Sequence, residues 1–89
     1  MTAKGLKFEE HKELGNSLEI IRDALLKNCL TVEHHYGKTS KDSHKLFMAL
    51  KYIDIARSLL DDRVFVEYRD EKSFDELVNV YYPGNINEV

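Results

Sequence analysis

Hydrophobic residues dominate one stretch near the middle of the chain. Eleven of the fifteen residues at positions 46–60 are apolar, and polar residues recur between them at steps of three or four. This spacing is typical of a helix, in which each residue advances by about 100° around the axis. The apolar side chains cover about 220° of the circumference, whereas one partner helix needs a stripe only about 100° wide. We therefore predict a central helix with two packing surfaces. Its narrow polar face consists of Lys51, Asp54, Ser58, Asp61 and Asp62.

A second apolar pattern precedes this helix and predicts another helix over residues 8–36. Seven apolar residues follow each other at steps of three or four and form a core-facing stripe about 80° wide. They are Leu14, Leu18, Ile21, Leu25, Cys29, Val32 and Tyr36. Gly15 interrupts the pattern, because glycine costs a helix interior about 1 kcal/mol relative to alanine. It indicates a kink, a close crossing of another backbone, or a later helix start capped by Asn16 or Ser17.

Turn-forming residues divide the remainder of the chain. Gly37 and the polar residues after it predict a turn over residues 37–43, followed by the central helix over residues 44–68. Residues 64–68 have the composition of a strand. We favour helix because Val64 and Tyr68 continue the apolar spacing of the central helix and a lone strand would lack a pairing partner. Ser73 and Glu76 form a capping-box pattern that starts a short helix over residues 74–81, which ends before Pro83. Residues 1–7 are predicted to be disordered, and residues 83–89 form a tail.

These elements predict a single all-α domain. The two long helices, joined by a short turn, form an antiparallel hairpin, and the third helix covers part of its open end. The third helix contributes Phe74, Leu77, Val78 and Tyr81. One side of the central helix stays uncovered, and we call it the 48–59 stripe: Met48, Tyr52, Ile55 and Leu59. Exposed apolar surfaces of this kind mark association sites, so we expect a homodimer that completes a four-helix bundle.

The composition is that of a small globular protein. Hydrophobic residues make up 43% of the chain and charged residues 33%, which argues against disordered and fibrous classes. No apolar run reaches the roughly 18 residues that a membrane span needs, and the first residues lack the apolar core of a secretory signal. The single cysteine, Cys29, cannot form an internal disulfide. We therefore expect a cytoplasmic protein without a membrane segment.

Positive charge concentrates at the turn between the two long helices. Residues 37–45 contain Lys38, Lys41 and Lys45 against one acidic residue, although the chain as a whole has a net charge of −3. This basic tip is an alternative site for nucleic acid. Three lysines are fewer than the clustered basic surface that is typical of nucleic-acid binders, so we favour a solvated turn.

Histidines near the same turn suggest a second alternative, a metal site. His34, His35 and His44 lie close to it in the sequence, with Cys29 nearby. A zinc ion needs three or four converging ligands, whereas two adjacent helical residues point about 100° apart. We therefore favour surface histidines, and we expect Cys29 to be buried and unreactive. His11 falls near the apolar stripe of the first helix and is expected to be partly buried.

The aromatic pair near the carboxyl end of the third helix permits two interpretations. Tyr81 and Tyr82 resemble the rigid aromatic residues that protein interfaces favour. We prefer the simpler arrangement, in which Tyr81 packs inward and Tyr82 lies over the hairpin. No arrangement of catalytic residues and no glycine-rich phosphate loop is present, so we expect no enzymatic activity, cofactor or metal. The sequence predicts a protein–protein interaction or regulatory module, with a second copy and an unidentified protein as its partners.

Overall fold

Three α-helices make up residues 5–83, the part of the chain that this computed structural model describes. α1 spans Phe8–Tyr36, α2 spans Lys41–Tyr68 and α3 spans Phe74–Tyr81. No strand occurs within residues 5–83, which confirms the all-α class, and residues 64–68 continue α2 as a helix. Residues 1–4 and 84–89, which belong to the predicted disordered segment and tail, lie outside the described range.

The residues directly before α1 are tied to the rest of the fold. The backbone N–H of Lys7 donates a hydrogen bond to the carboxylate of Glu10 at 2.8 Å. The hydroxyl of Tyr68 in α2 donates to the backbone carbonyl of Leu6 at 2.6 Å. Residues 5–7 therefore differ from the predicted disordered segment, because side chains from two helices bind their backbone groups.

A serine cap makes the turn between α1 and α2 shorter than predicted. The Oγ atom of Ser40 accepts a hydrogen bond from the backbone N–H of Ser43 at 3.1 Å. The Ser43 hydroxyl in turn donates to the carbonyl of Gly37 at 2.8 Å, and Gly37 has a φ of 91° that favours glycine. Because Ser40 serves as the N-cap, α2 begins at Lys41 and not at the predicted residue 44.

Residues near the start of α1 contact residues near the end of α2, and residues further along α1 contact earlier residues of α2. The ring Nε2 of His11, near the start of α1, lies 2.8 Å from the Glu67 carboxylate near the end of α2. Further along α1, the Nε of Arg22 donates to the Oδ1 of Asp54 at 2.7 Å. α3 packs against both long helices.

The buried edge of α1 differs from the predicted stripe. The buried residues of this helix are His11, Gly15 and Cys29. On average, these residues point about 50° around the helix axis from the centre of the predicted stripe. Ile21 and Tyr36, which the pattern placed in the core, are exposed as a result. The rotation follows from the close approach of α3 to Gly15, which hydrophobic spacing alone does not reveal.

α2 is rotated as well, so that part of its predicted polar face is covered. Asp54 pairs with Arg22. Asp61 is half-buried, and this burial raises the pKa of the Asp61 carboxyl. The negative charge of Asp62 raises the same pKa further. The sequence analysis placed both aspartates on the solvent-facing side of the helix, because a charged side chain without a known partner is more stable in water. The partner of Asp54 comes from another helix. The buried residues of α2 are Ser43, Leu50, Arg57 and Val64.

The hydrophobic core lies where α3 meets the start of α1 and the end of α2. Its buried members are Val64, Leu77, Val80 and Tyr81. A Cβ atom on Gly15 would overlap the carbonyl oxygen of Val80 and lie 3.3 Å from the Tyr81 ring. Of the three interpretations of Gly15, the close crossing is therefore confirmed. Leu77 and Tyr81 pack inward as predicted, whereas Phe74 is exposed beside Phe65.

The predicted capping box at the start of α3 is confirmed. The backbone N–H of Glu76 donates to the Ser73 Oγ at 3.2 Å, and the backbone N–H of Ser73 donates to the Glu76 carboxylate at 3.1 Å. The second hydrogen bond stabilises the ionised carboxylate and holds the pKa of Glu76 below its usual value. This local pattern sets the point at which α3 begins.

Candidate interaction surface

An uncovered apolar face runs along α2. Of the 48–59 stripe, Tyr52 is 61% exposed, Ile55 44% and Leu59 64%, while Met48 is half-buried. Val66, which is 71% exposed, extends the same face toward the end of the helix. The five side chains fall within a sector of about 60°, whose centre lies about 180° from the centre of the face that α2 buries. The stripe therefore points away from α1 and α3.

The spacing along this face is that of a helix-pairing seam. Residues 48, 52, 55, 59, 62 and 66 are separated by alternating steps of four and three, which is the heptad pattern of a coiled coil. Position 62 is Asp62, so the apolar part between Met48 and Leu59 is about 17 Å long. Because a 3.5-residue period keeps one narrow line of side chains facing a second helix, this surface fits a helical partner.

Within residues 5–83, the other exposed apolar residues do not form a comparable surface. α1 carries four large ones, and on a helical wheel they point in directions spread around the whole helix. They are Ile20, Ile21, Leu30 and Tyr36. Scattered apolar side chains are common on monomeric proteins, whereas a continuous line is not. The apolar line on α2 is therefore the better candidate for a binding surface.

A largely buried polar network joins the three helices away from the 48–59 stripe. The Nε2 of His11 donates to the Glu67 carboxylate, so in a neutral ring the Nδ1 accepts from the Tyr81 hydroxyl 2.6 Å away. Burial, and after it the charge of Glu67, raises the pKa of Tyr81 to about 12. His11, predicted to be partly buried, is fully enclosed, as is Tyr81. A substrate has no access to either group, so the network holds the helices together.

Arg57 is another buried polar residue, and the sequence analysis predicted no contact for it. Its guanidinium donates from Nη2 to the backbone carbonyl of Tyr81 at 2.6 Å and lies 4.7 Å from the centre of the Tyr82 ring. The Tyr81 side chain is fully buried and points inward, as preferred, and Tyr82 packs against Arg57. A sequence signal existed, because Arg57 is seven residues from both Leu50 and Val64 and must share their face of α2.

The three lysines of the alternative nucleic-acid site are all exposed. Lys38 lies in the turn, Lys41 is the first residue of α2, and Lys45 follows one helical turn later. Lys45 is three residues before Met48 and lies on the same side of the helix. Its charge therefore borders the 48–59 stripe.

The histidines near the turn are exposed and do not converge. The rings of His34 and His35 are 5.4 Å apart in an edge-to-face arrangement, and the Nδ1 of His35 lies 2.9 Å from the carbonyl of Thr31. Within residues 5–83, no group of three or more histidine, cysteine or acidic side chains is arranged to hold a metal ion. Cys29 is buried as predicted, and this burial raises the pKa of its thiol.

Comparisons with known proteins identify no family. No protein-family model matches the chain, and no curated protein or solved structure shows significant similarity to it. None of the helices in residues 5–83 combines the length and apolar character needed to cross a lipid bilayer. The candidate function is therefore inferred from the surface of the molecule itself.

Proposed function

We propose that this protein is a non-enzymatic interaction module that binds a helical partner through the 48–59 stripe. The observation that carries the proposal is the joint exposure of Tyr52, Ile55 and Leu59 along one side of α2. Complete burial of an apolar side chain of this size contributes about 1.5–3 kcal/mol relative to full exposure. Since these side chains are already partly covered, each would contribute less than that, but together they favour association.

The simplest assembly is a homodimer in which the stripes of two copies meet. In each copy α1 and α2 form an antiparallel hairpin, with the stripe on the side of α2 that faces away from α1. Joining two copies through this side puts both α2 helices in the middle and one α1 on each flank. A square four-helix bundle needs two contact faces roughly 90° apart on each helix. We therefore favour a dimer in which the four long helices lie side by side over the expected closed bundle.

The substitution Ile55→Asp tests this proposal. Ile55 lies in the middle of the stripe and is 44% exposed, so a carboxylate there remains hydrated in a single chain. In the dimer it would be buried without a positive partner, which costs several kcal/mol. We expect a mass of two chains for the unchanged protein and of one chain for the variant, measured by sedimentation equilibrium at protein concentrations well above the micromolar range. Circular dichroism should report the same helix content for both.

Asn28→Asp provides the matched control, because it adds the same carboxylate at an exposed position of α1 away from the stripe. This control should keep the mass of two chains. A one-chain mass for the unchanged protein would contradict the homodimer. A two-chain mass for the Ile55→Asp variant would show that another surface forms the contact.

A further inference from the structure

Opposite charges stand at the two ends of the 48–59 stripe. Lys45 precedes Met48 by three residues and Asp62 follows Leu59 by three residues, and both charged side chains are exposed. The six residues 45, 48, 52, 55, 59 and 62 are separated by steps of three, four, three, four and three. These steps are the same in both directions along the helix. The stripe is therefore symmetric in spacing, with a positive end and a negative end.

We infer that the occupant of the stripe is a second copy of this chain, whose α2 runs antiparallel to the first. The inference rests on the proposed function and specifies its partner and register. The two-fold axis crosses the helix pair at a level between Ile53 and Asp54 along each helix. Met48 then packs against the partner's Leu59, and Tyr52 against the partner's Ile55. At each end of the seam, Lys45 pairs with the partner's Asp62.

Charge complementarity selects this orientation over the parallel one. In the antiparallel register, each of the two ends of the seam joins a lysine to an aspartate, and the apolar residues between them exclude water. A parallel two-fold pair would put Lys45 against the partner's Lys45 and Asp62 against the partner's Asp62. Like charges facing each other across a helix interface disfavour that pairing.

The residues beside the seam are compatible with the same register. Ala49 and Ala56 border the stripe on one edge, and each would face the other alanine of the partner helix. Their small side chains permit the two helix backbones to approach closely. Val66, beyond the charged pair, would lie opposite the partner's Lys41, which is exposed. The aliphatic part of a lysine can cover an apolar residue while its ammonium group stays in water.

The size of the seam sets the expected strength of the dimer. From Lys45 to Asp62 the contact is about 26 Å long, and a single helix from each copy forms it. Such a contact lies at the small end of specific protein interfaces, where reversible association is common. We therefore expect a dissociation constant in the micromolar range, which sedimentation equilibrium can measure directly.

Charge reversal at the two ends tests the register. Lys45→Glu places two carboxylates together at both ends of the seam, and Asp62→Lys places two ammonium groups together. Each single variant should raise the dissociation constant about tenfold at low salt, where exposed charges interact most strongly. The double variant restores opposite charges at both ends, so its dissociation constant should return to within about threefold of the original value. Both positions are exposed, and circular dichroism should show that all three variants fold.

Lys27→Glu is the matched control, because it reverses the same charge at an exposed position of α1 away from the seam. It should leave the dissociation constant unchanged. A double variant that is not restored, or single variants that dimerise normally, would overturn the antiparallel register. If Ile55→Asp still dissociates the dimer in that case, the stripe remains the interface and only the register fails. An unchanged protein with the mass of one chain would overturn both the homodimer and the register.

Discussion

Replacing Gly15 with alanine is expected to destabilise the fold, although the same change stabilises most helices. Gly15 is buried in α1 where the carboxyl end of α3 crosses it. The added methyl group would overlap the backbone carbonyl of Val80. Because this carbonyl belongs to the main chain, it cannot rotate away as a flexible side chain does. The end of α3 must therefore move outward.

The expected loss combines three contributions of similar size. Alanine favours the helix by about 1 kcal/mol relative to glycine. Overpacking of a filled core costs about 1–3 kcal/mol. A displaced α3 also weakens the hydrogen bonds of Tyr81 with His11 and Arg57, each of which contributes about 1 kcal/mol. We expect a net decrease of about 2 kcal/mol in the free energy of unfolding, which lowers Tm by about 10 °C in a domain of this size.

Thermal unfolding followed by circular dichroism measures this effect. Asn16→Ala is the control, because it makes a comparable change at the next, exposed position of α1 and should leave Tm equal or slightly higher. A Gly15→Ala variant as stable as the original protein would refute the reasoning. The crossing would then have room for a methyl group, and Gly15 would have no packing role.

Two further predictions concern the polar contacts. Tyr81→Phe leaves the buried Nδ1 of His11 without its partner and should lower the free energy of unfolding by about 1–3 kcal/mol, measured by urea denaturation at neutral pH. Because folding raises the pKa of Tyr81 from about 10 to about 12, the native protein holds this proton more tightly than the unfolded chain. The resulting stability is fully present below pH 10 and is lost as the pH rises through 12. The free energy of unfolding of the Tyr81→Phe variant should therefore fall less steeply over this range. An identical pH profile for the two proteins would contradict the raised pKa. Ser40→Ala removes the hydrogen bond that caps α2 at Ser43 and should cost about 1 kcal/mol, whereas Thr39→Ala, in the same turn, should cost less; equal stabilities would refute the capping role.

Local patterns were sufficient to predict the helices. Apolar spacing identified the range of α1 and the continuation of α2 through residues 64–68, and the capping box identified the start of α3. These features depend on residues within a few positions of each other, so the sequence contains the necessary information. The start of α2 was predicted three residues too late, because several serine and threonine residues in the turn compete as caps and only the structure identifies Ser40.

Contacts of charged residues with other helices were the main feature that local patterns did not predict. Arg57, Asp54 and Glu67 were assigned no contact, yet each has a partner on another helix. A charged side chain enters the interior when a distant residue supplies a hydrogen bond or an opposite charge. Helical periodicity carries no information about such a partner. The rotation of α2 relative to its predicted face has the same origin, whereas that of α1 follows from the close approach of α3 to Gly15.

The sequence by itself determined that this chain forms three helices and that α2 carries more apolar surface than one neighbour can cover. Tertiary structure decided which part of that surface stays open. The 48–59 stripe is exposed because α1 and α3 both pack on the other side of α2, around Gly15 and the buried residues Arg57 and His11. Periodicity measures how wide an apolar face is, whereas contacts between distant residues decide which side of the helix faces solvent.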